Sequence, residues 1–202
     1  MPVKKGEPLD PAATRVKVLK AAAQLFRERG THPVGVNEIA EAAGVSKLTL
    51  YRHFDSKDGL IQAFLESASD VMMRRLERAV AEPGLSPDER ILVVIDEEWR
   101  RFPGRYHGCP LMNTAVEWRG SESSPGTIAR VHLDRVRALL ERLCDEAGLA
   151  DPAAVAGQLL LLVQGATMVR LVGGRDDSER VARDAAAALL ASAPRRRRGA
   201  AA

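Results

Sequence analysis

The side chains of this chain best equipped for chemistry are hydrogen-bond donors, and they crowd into one short stretch. Ser46, Lys47, Thr49, Tyr51, Arg52, His53 and Lys57 stand close together, with the apolar Leu48 among them. Donors at that density suit phosphate oxygens, and a few of them at the start of a helix suit base edges. Charge is distributed in the same sense. Residues 1–60 hold 10 basic and 7 acidic side chains, whereas residues 61–194 hold 16 basic and 20 acidic ones. A basic leading segment ahead of a mildly acidic body fits a polyanionic partner; the competing account is a solvated surface with uneven charge.

Other chemistries find no constellation. Cys109 and Cys144 are far apart and lack a CxxC partner, and His32, His53, His107 and His132 form no ligand pattern, so no metal site is expected. There is no Gly-rich phosphate loop, no G-x-S-x-G elbow and no H-E-x-x-H, so neither a cofactor nor an enzymatic activity is expected. Cys109 precedes Pro110 near a helix start, where backbone amides favour a thiolate; it reads either as a redox sensor or as a buried inert thiol. Glu97-Glu98 and Asp176-Asp177 read as solvated surface.

The elements that must position the donors are helices. Aromatic residues are only 4% of the 202, which argues against a β-sandwich or barrel. Two cysteines suit a reducing compartment, and no apolar run reaches the roughly 18 residues of a membrane span, so a cytoplasmic protein without membrane contact is expected. Apolar residues recur at helical spacing over Pro11 to Arg29, Val36 to Ala43, Ser46 to Phe54 and Ser56 to about Pro83. Further helices follow over Pro87 to Phe102, Pro110 to Trp118, Thr127 to Gly148, Pro152 to Val172 and Ser178 to Ala193, with Gly120 to Gly126 a Ser/Gly-rich linker. The expected fold is all-α, with about nine helices.

Val36 to Phe54 is the decisive stretch. Ala40 is small where two short helices cross, Gly44 tolerates positive φ at the turn, and Ile39, Ala43, Val45 and Leu50 tie the pair together. This is helix-turn-helix spacing, with the second helix offered to the major groove. Together with the trailing residues, the stretch Ile39-Ala40-x-x-Ala43-Gly44-Val45-Ser46-Lys47-x-Thr49-Leu50-Tyr51-x-His53-Phe54-x-x-Lys57-x-x-Leu60 resembles the TetR/AcrR family of bacterial transcriptional regulators over about residues 14–64. The resemblance implies that Lys47, Thr49, Tyr51, His53 and Lys57 contact phosphates or bases of double-stranded DNA, although the Tyr51 ring can equally pack on the first helix. Two positions depart from the family pattern. Leu48 replaces a frequent Gly, offering an apolar group for a thymine methyl, and Gly35 replaces the usual Ser or Thr cap, removing a hydroxyl contact to phosphate.

The resemblance also implies a variable C-terminal domain that binds a small effector and dimerises. The residues themselves point to an interface: Leu159, Leu160, Leu161, Leu162 and Val163 make a helix apolar all round, which needs cover on every side. A second subunit supplying the same helix and the final one, with Val181, Ala185 and Leu189, gives a four-helix interface; a helix buried wholly within one subunit is the alternative. Trp99, Phe102, Cys109, Met112, Asn113, Glu117 and Trp118 are the candidate effector contacts, being large apolar groups with a few polar anchors. The expected boundaries are a flexible 1–10, a DNA-binding domain at 11–55, an effector-binding and dimerisation domain at 56–193, and a disordered basic tail at 194–202. As a whole, the expectation is a homodimeric repressor on an inverted-repeat operator, released by an unknown, mainly apolar small molecule.

Overall fold

The computed structural model describes residues 10–100, 108–119, 124–173 and 177–196. Among these, nine α-helices account for all regular structure except an isolated bridge between Leu149 and Arg195. They are α1 (Pro11–Arg29), α2 (Val36–Ala42), α3 (Lys47–Phe54), α4 (Lys57–Val80), α5 (Pro87–Arg100), α6 (Pro110–Glu117), α7 (Ser124–Glu146), α8 (Pro152–Leu171) and α9 (Ser178–Ser192).

Local chemistry sets several of the helix starts. Asp10 caps α1 by accepting from the Ala12 amide at 3.0 Å, with Pro11 in the first turn, where its missing N–H costs nothing. Asp151 and Pro152 repeat the device at α8, where the carboxylate accepts from the Ala154 amide at 3.0 Å. Ser86 and Glu89 form a reciprocal capping box before α5, and the hydrogen bonds from Ser86 hold the Glu89 carboxyl below its ordinary pKa. The helix α7 begins three residues earlier than the sequence suggests, absorbing Ser124-Pro125-Gly126 from the expected linker, because proline is tolerated in a first turn.

The chain divides into two compact units, and the division differs from the expected boundary near residue 55. One unit is residues 1–68 together with 110–128; the other is 69–109 together with 129–202. The helix α6 therefore belongs to the N-terminal unit, although 41 residues of sequence separate the unit's two segments. In this unit α1, α2 and α3 pack against one another. Val18, Ala22, Phe26, Ile39, Leu50 and Phe54 are buried, and the rings of Phe26 and Phe64 meet at 5.4 Å. Each large apolar side chain buried in this way stabilises the unit by about 1.5–3 kcal/mol. Gly44 turns the chain between α2 and α3 at φ +59°, a conformation that costs side-chain-bearing residues free energy.

In the second unit α9 packs on both α5 and α8, around buried Leu76, Ile91, Ile95, Leu140, Leu143 and Leu159. By length and composition alone α8 is apolar enough to cross a membrane, with a mean hydropathy of 1.5, contrary to the sequence expectation. Its apolar residues serve two sides. Val155, Leu159 and Val163 are buried within the unit, while Leu161, Met168 and Val169 are exposed.

The expected disordered tail also needs correction at its start. Pro194 to Arg196 lies along the α7–α8 turn: the Ala150 amide donates to the Pro194 carbonyl at 2.8 Å, and the Arg196 amide to Gly148 at 2.8 Å. Arg195 pairs with Asp88 at 2.6 Å and Arg196 with Asp145 at 2.7 Å. Carboxylates on the acidic body thus pair with the first part of the basic run. Arg197 and Arg198 lie outside the described residues, as do residues 1–9.

Candidate nucleic-acid interface

The donor cluster of the sequence is one helix and its two flanks. Ser46 caps α3 by accepting from the Thr49 amide at 3.0 Å, and its hydroxyl meets that of Thr49 at 2.8 Å. The cap fixes the helix start and leaves Lys47, Leu48 and Arg52 exposed, Leu48 at 62%. Leu50 and Phe54 anchor the opposite side in the core. Tyr51 is half-buried, with the Lys47 ammonium 5.9 Å from its ring centroid, and His53 is half-buried beside Phe54. A capped helix with an apolar inner face and a cationic, hydroxyl-bearing outer face can enter a major groove and meet both phosphates and base edges. At α2 the cap position Gly35 makes no side-chain hydrogen bond.

Lys57, at the start of α4, is engaged: its ammonium donates to the His32 carbonyl at 3.0 Å. That carbonyl belongs to the turn between α1 and α2, which Glu117 of α6 holds from another direction. One oxygen of Glu117 (Oε2) accepts from the Thr31 amide at 2.8 Å, the Thr31 hydroxyl at 2.6 Å and the His32 amide at 3.2 Å. The Trp118 indole donates to the Thr31 hydroxyl at 2.9 Å and stacks on the His32 ring at 4.9 Å and 15°. The His32 Nε2 lies 3.0 Å from the Glu117 carbonyl oxygen. Gly30, at φ +83°, makes room for this: a Cβ there would collide with Oε1 of Glu117. These contacts all lie within the N-terminal unit.

Glu117 and Trp118 therefore take a role other than the effector contacts expected of them, since their polar atoms organise the turn behind the reading helix. Of the other expected contacts, the Trp99 side chain and Phe102 lie outside the described residues. Cys109 is buried in the second unit; Met112 and Asn113 are half-buried on α6.

Sequence reasoning missed a set of buried polar groups in the second unit. Glu97, read as solvated, is 7% exposed and paired with Arg75. Its position three residues after Val94, on the apolar side of α5, was the available signal. His132 and Ser69 are buried and meet at 3.0 Å, with Arg135 donating to the Ser69 hydroxyl at 2.9 Å. Cys144 is fully buried, and desolvation, reinforced by Asp88 and Glu141, pushes its thiol up to about 11, so it is no nucleophile.

The expected interface also divides. Leu159 and Val163 are buried in their own unit and drop out of it, because residues four apart share the helix face that packs inward. Leu161 and Val181 are 74% and 49% exposed, and Leu160, Leu162, Ala185 and Leu189 are half-buried. Leu161, Leu162, Gly165, Val169, Val181 and Ala185 line a groove of about 330 Å3 along α8 and α9.

Comparison with known proteins gives one result at three levels. Residues 18–64, which contain the whole helix-turn-helix, match the family model for bacterial regulatory proteins of the tetR family. An uncharacterized HTH-type transcriptional regulator of Mycobacterium tuberculosis is 29% identical over 163 residues, 81% of this chain and 77% of that protein. The HTH-type transcriptional repressor KstR2 of Mycolicibacterium smegmatis is 32% identical over 84 residues, 42% of this chain and 40% of that one. Among solved structures, a TetR-family transcriptional regulator from Streptomyces coelicolor superposes with a TM-score of 0.79 at 25% identity, covering 88% of this chain and 94% of that one. A tetR-type regulator from Streptomyces avermitilis gives 0.71 at 29% identity, over 86% and 98%. With its capped reading helix, its all-helical fold and these relatives, the chain is similar over most of its length to DNA-binding transcriptional regulators of the TetR family, and residues 18–64 match that family's model.

Proposed function

We propose that this regulator is a cytoplasmic homodimeric repressor, seated on an inverted-repeat operator and released from it by a small, mainly apolar effector. The observation that carries the first part is α3, whose Ser46 cap leaves Lys47, Leu48 and Arg52 free to meet DNA at its N-terminal end. The named DNA contacts are Ser46, Lys47, Leu48, Thr49, Tyr51, Arg52, His53 and Lys57. A reading helix this short reaches only a few bases, so two copies related by a two-fold axis are needed to specify a site, and the operator takes the symmetry of the dimer. The exposed apolar residues of α8 and α9, Leu161 and Val181 foremost, support the dimer, since such a strip is costly in water and is satisfied by its own copy.

The buried polar groups support the effector. Glu97 with Arg75, and Ser69 with His132, are polar pairs buried in the second unit, and a mainly apolar effector would need groups of this kind as anchors. Release requires the effector to prefer a conformation that does not fit the operator; a tenfold loss of operator affinity takes about 1.4 kcal/mol of coupling.

The test is selection of binding sites from a randomised duplex pool, followed by sedimentation and by titration with apolar metabolites. The reading expects inverted repeats, a dimer at micromolar concentration, and a compound that shifts tryptophan fluorescence and frees the operator with the same saturation. Equal affinity for random duplex at moderate salt, or a folded monomer, contradicts it.

A further inference from the structure

A groove of about 890 Å3 between α4 and α7 is walled by guanidinium groups. Arg74 and Arg78 stand four residues apart on one face of α4, and Arg135 and Arg142 seven apart on one face of α7. Ala138 and the nearly buried Met73 and Leu139 supply its apolar lining. Charge within it is unbalanced. Arg142 donates to Glu77 at 2.8 Å and to Glu146 at 3.1 Å, and Arg135 to Asp70 at 2.9 Å. Arg74 and Arg78 have no carboxylate partner among the described residues; the Nε of Arg78 donates to the Arg74 carbonyl at 3.2 Å. Two guanidiniums one helical turn apart repel each other, and Glu77, the carboxylate lining the same groove, is taken up by Arg142. Such a concentration of cations stands out in a segment, 61–194, whose net charge is negative.

We propose that this groove binds an organic phosphate monoester, with Arg74 and Arg78 neutralising its phosphate and the apolar lining taking its organic part. The charge count selects the head group. A phosphate monoester carries close to two negative charges at neutral pH and accepts forked hydrogen bonds from guanidinium. A carboxylate leaves one of the two cations unmatched. The volume lies in the range of small-molecule sites, and an apolar lining has no use for a nucleic-acid backbone, which presents sugar and phosphate to its partners. The groove is confined to α4 and α7 of the second unit.

The experiment is calorimetric titration of the full chain with phenyl phosphate, inorganic phosphate and benzoate, repeated on the double variant Arg74→Gln/Arg78→Gln and on Ala138→Glu, all at exposed positions. Wild type is expected to bind one phenyl phosphate per chain, about tenfold or more tighter than benzoate or inorganic phosphate. Both variants are expected to lose that affinity at least about tenfold with unchanged helical circular dichroism and unchanged affinity for random duplex DNA. Absence of saturable phenyl phosphate binding, or equal affinity in the variants, overturns the assignment. A loss of random-duplex affinity in Arg74→Gln/Arg78→Gln also overturns it, by making the groove a nucleic-acid contact.

Discussion

Replacing Glu117 with Ala tests how the turn behind the reading helix is held. The substitution removes the acceptor of three donors at once: the Thr31 amide, the Thr31 hydroxyl and the His32 amide. They do not suffer equally. His32 is exposed, so its amide finds water, and the Thr31 hydroxyl can reorient while it keeps the Trp118 indole at 2.9 Å. The Thr31 amide is the costly one, because Thr31 is 1% exposed and, among the described residues, its N–H donates to Glu117 alone. An orphaned buried donor costs about 1–3 kcal/mol, and the lost charge assistance adds about 1 kcal/mol, for about 2–4 kcal/mol in the N-terminal unit. Glu117→Gln keeps an acceptor in place and loses only the charge, about 1 kcal/mol. Amide hydrogen exchange resolves the effect by residue. Thr31 protection is expected to fall strongly in Glu117→Ala and weakly in Glu117→Gln, while Leu50 and other α3 amides change less. Operator affinity is expected to follow, since the same turn supplies the carbonyl that holds Lys57. Wild-type exchange at Thr31 in Glu117→Ala would refute the reasoning.

Lys57→Ala is expected to weaken binding to every duplex about equally and to reduce the salt slope by about 1, as loss of one phosphate contact does; anisotropy titrations across a salt series check this, and an unchanged slope removes Lys57 from the interface. Leu161→Asp and Leu159→Asp separate the two faces of α8. The first, at a 74% exposed site, is expected to give folded monomers in sedimentation. The second, at a fully buried site, is expected to unfold the second unit, because an unpaired carboxylate in an apolar core costs several kcal/mol. Cys144 gives a pH dependence. Its thiol is raised in the folded state to about 11 from an ordinary value of 9.0, so its contribution is intact below pH 9 and declines as pH rises through that interval, by about 2–3 kcal/mol at most. Urea unfolding of wild type and Cys144→Ala between pH 8 and 11 is expected to converge, and parallel curves would show that the thiol does not titrate on unfolding.

The helix-turn-helix was legible in the sequence because its determinants are local. Ala40, Gly44, Ser46 and Leu50 are close in sequence, and each acts on its own turn of helix or on the next. The helix α8 was legible as a helix and illegible as a surface. With Leu159 to Leu162 and Val163 all apolar, no periodicity distinguishes the side that faces inward, and only packing against the rest of the unit buried Leu159 and Val163 and left Leu161 outside.

Sequence by itself therefore determined the helical class, the reading helix with its cap, and the charge polarity, all of which follow from neighbouring residues and the 3.6-residue repeat. Tertiary structure decided what depends on distant residues meeting. It joined α6 to the N-terminal unit, set the Glu117 carboxylate on a turn 86 positions earlier, buried Glu97 against Arg75, and fastened Arg195 to Asp88. The helical repeat puts Glu97 on the inner side of α5, but no local pattern names the partner in any of these pairings. A carboxylate looks the same in sequence whether water or a buried amide will satisfy it, and only the folded chain supplies the partner.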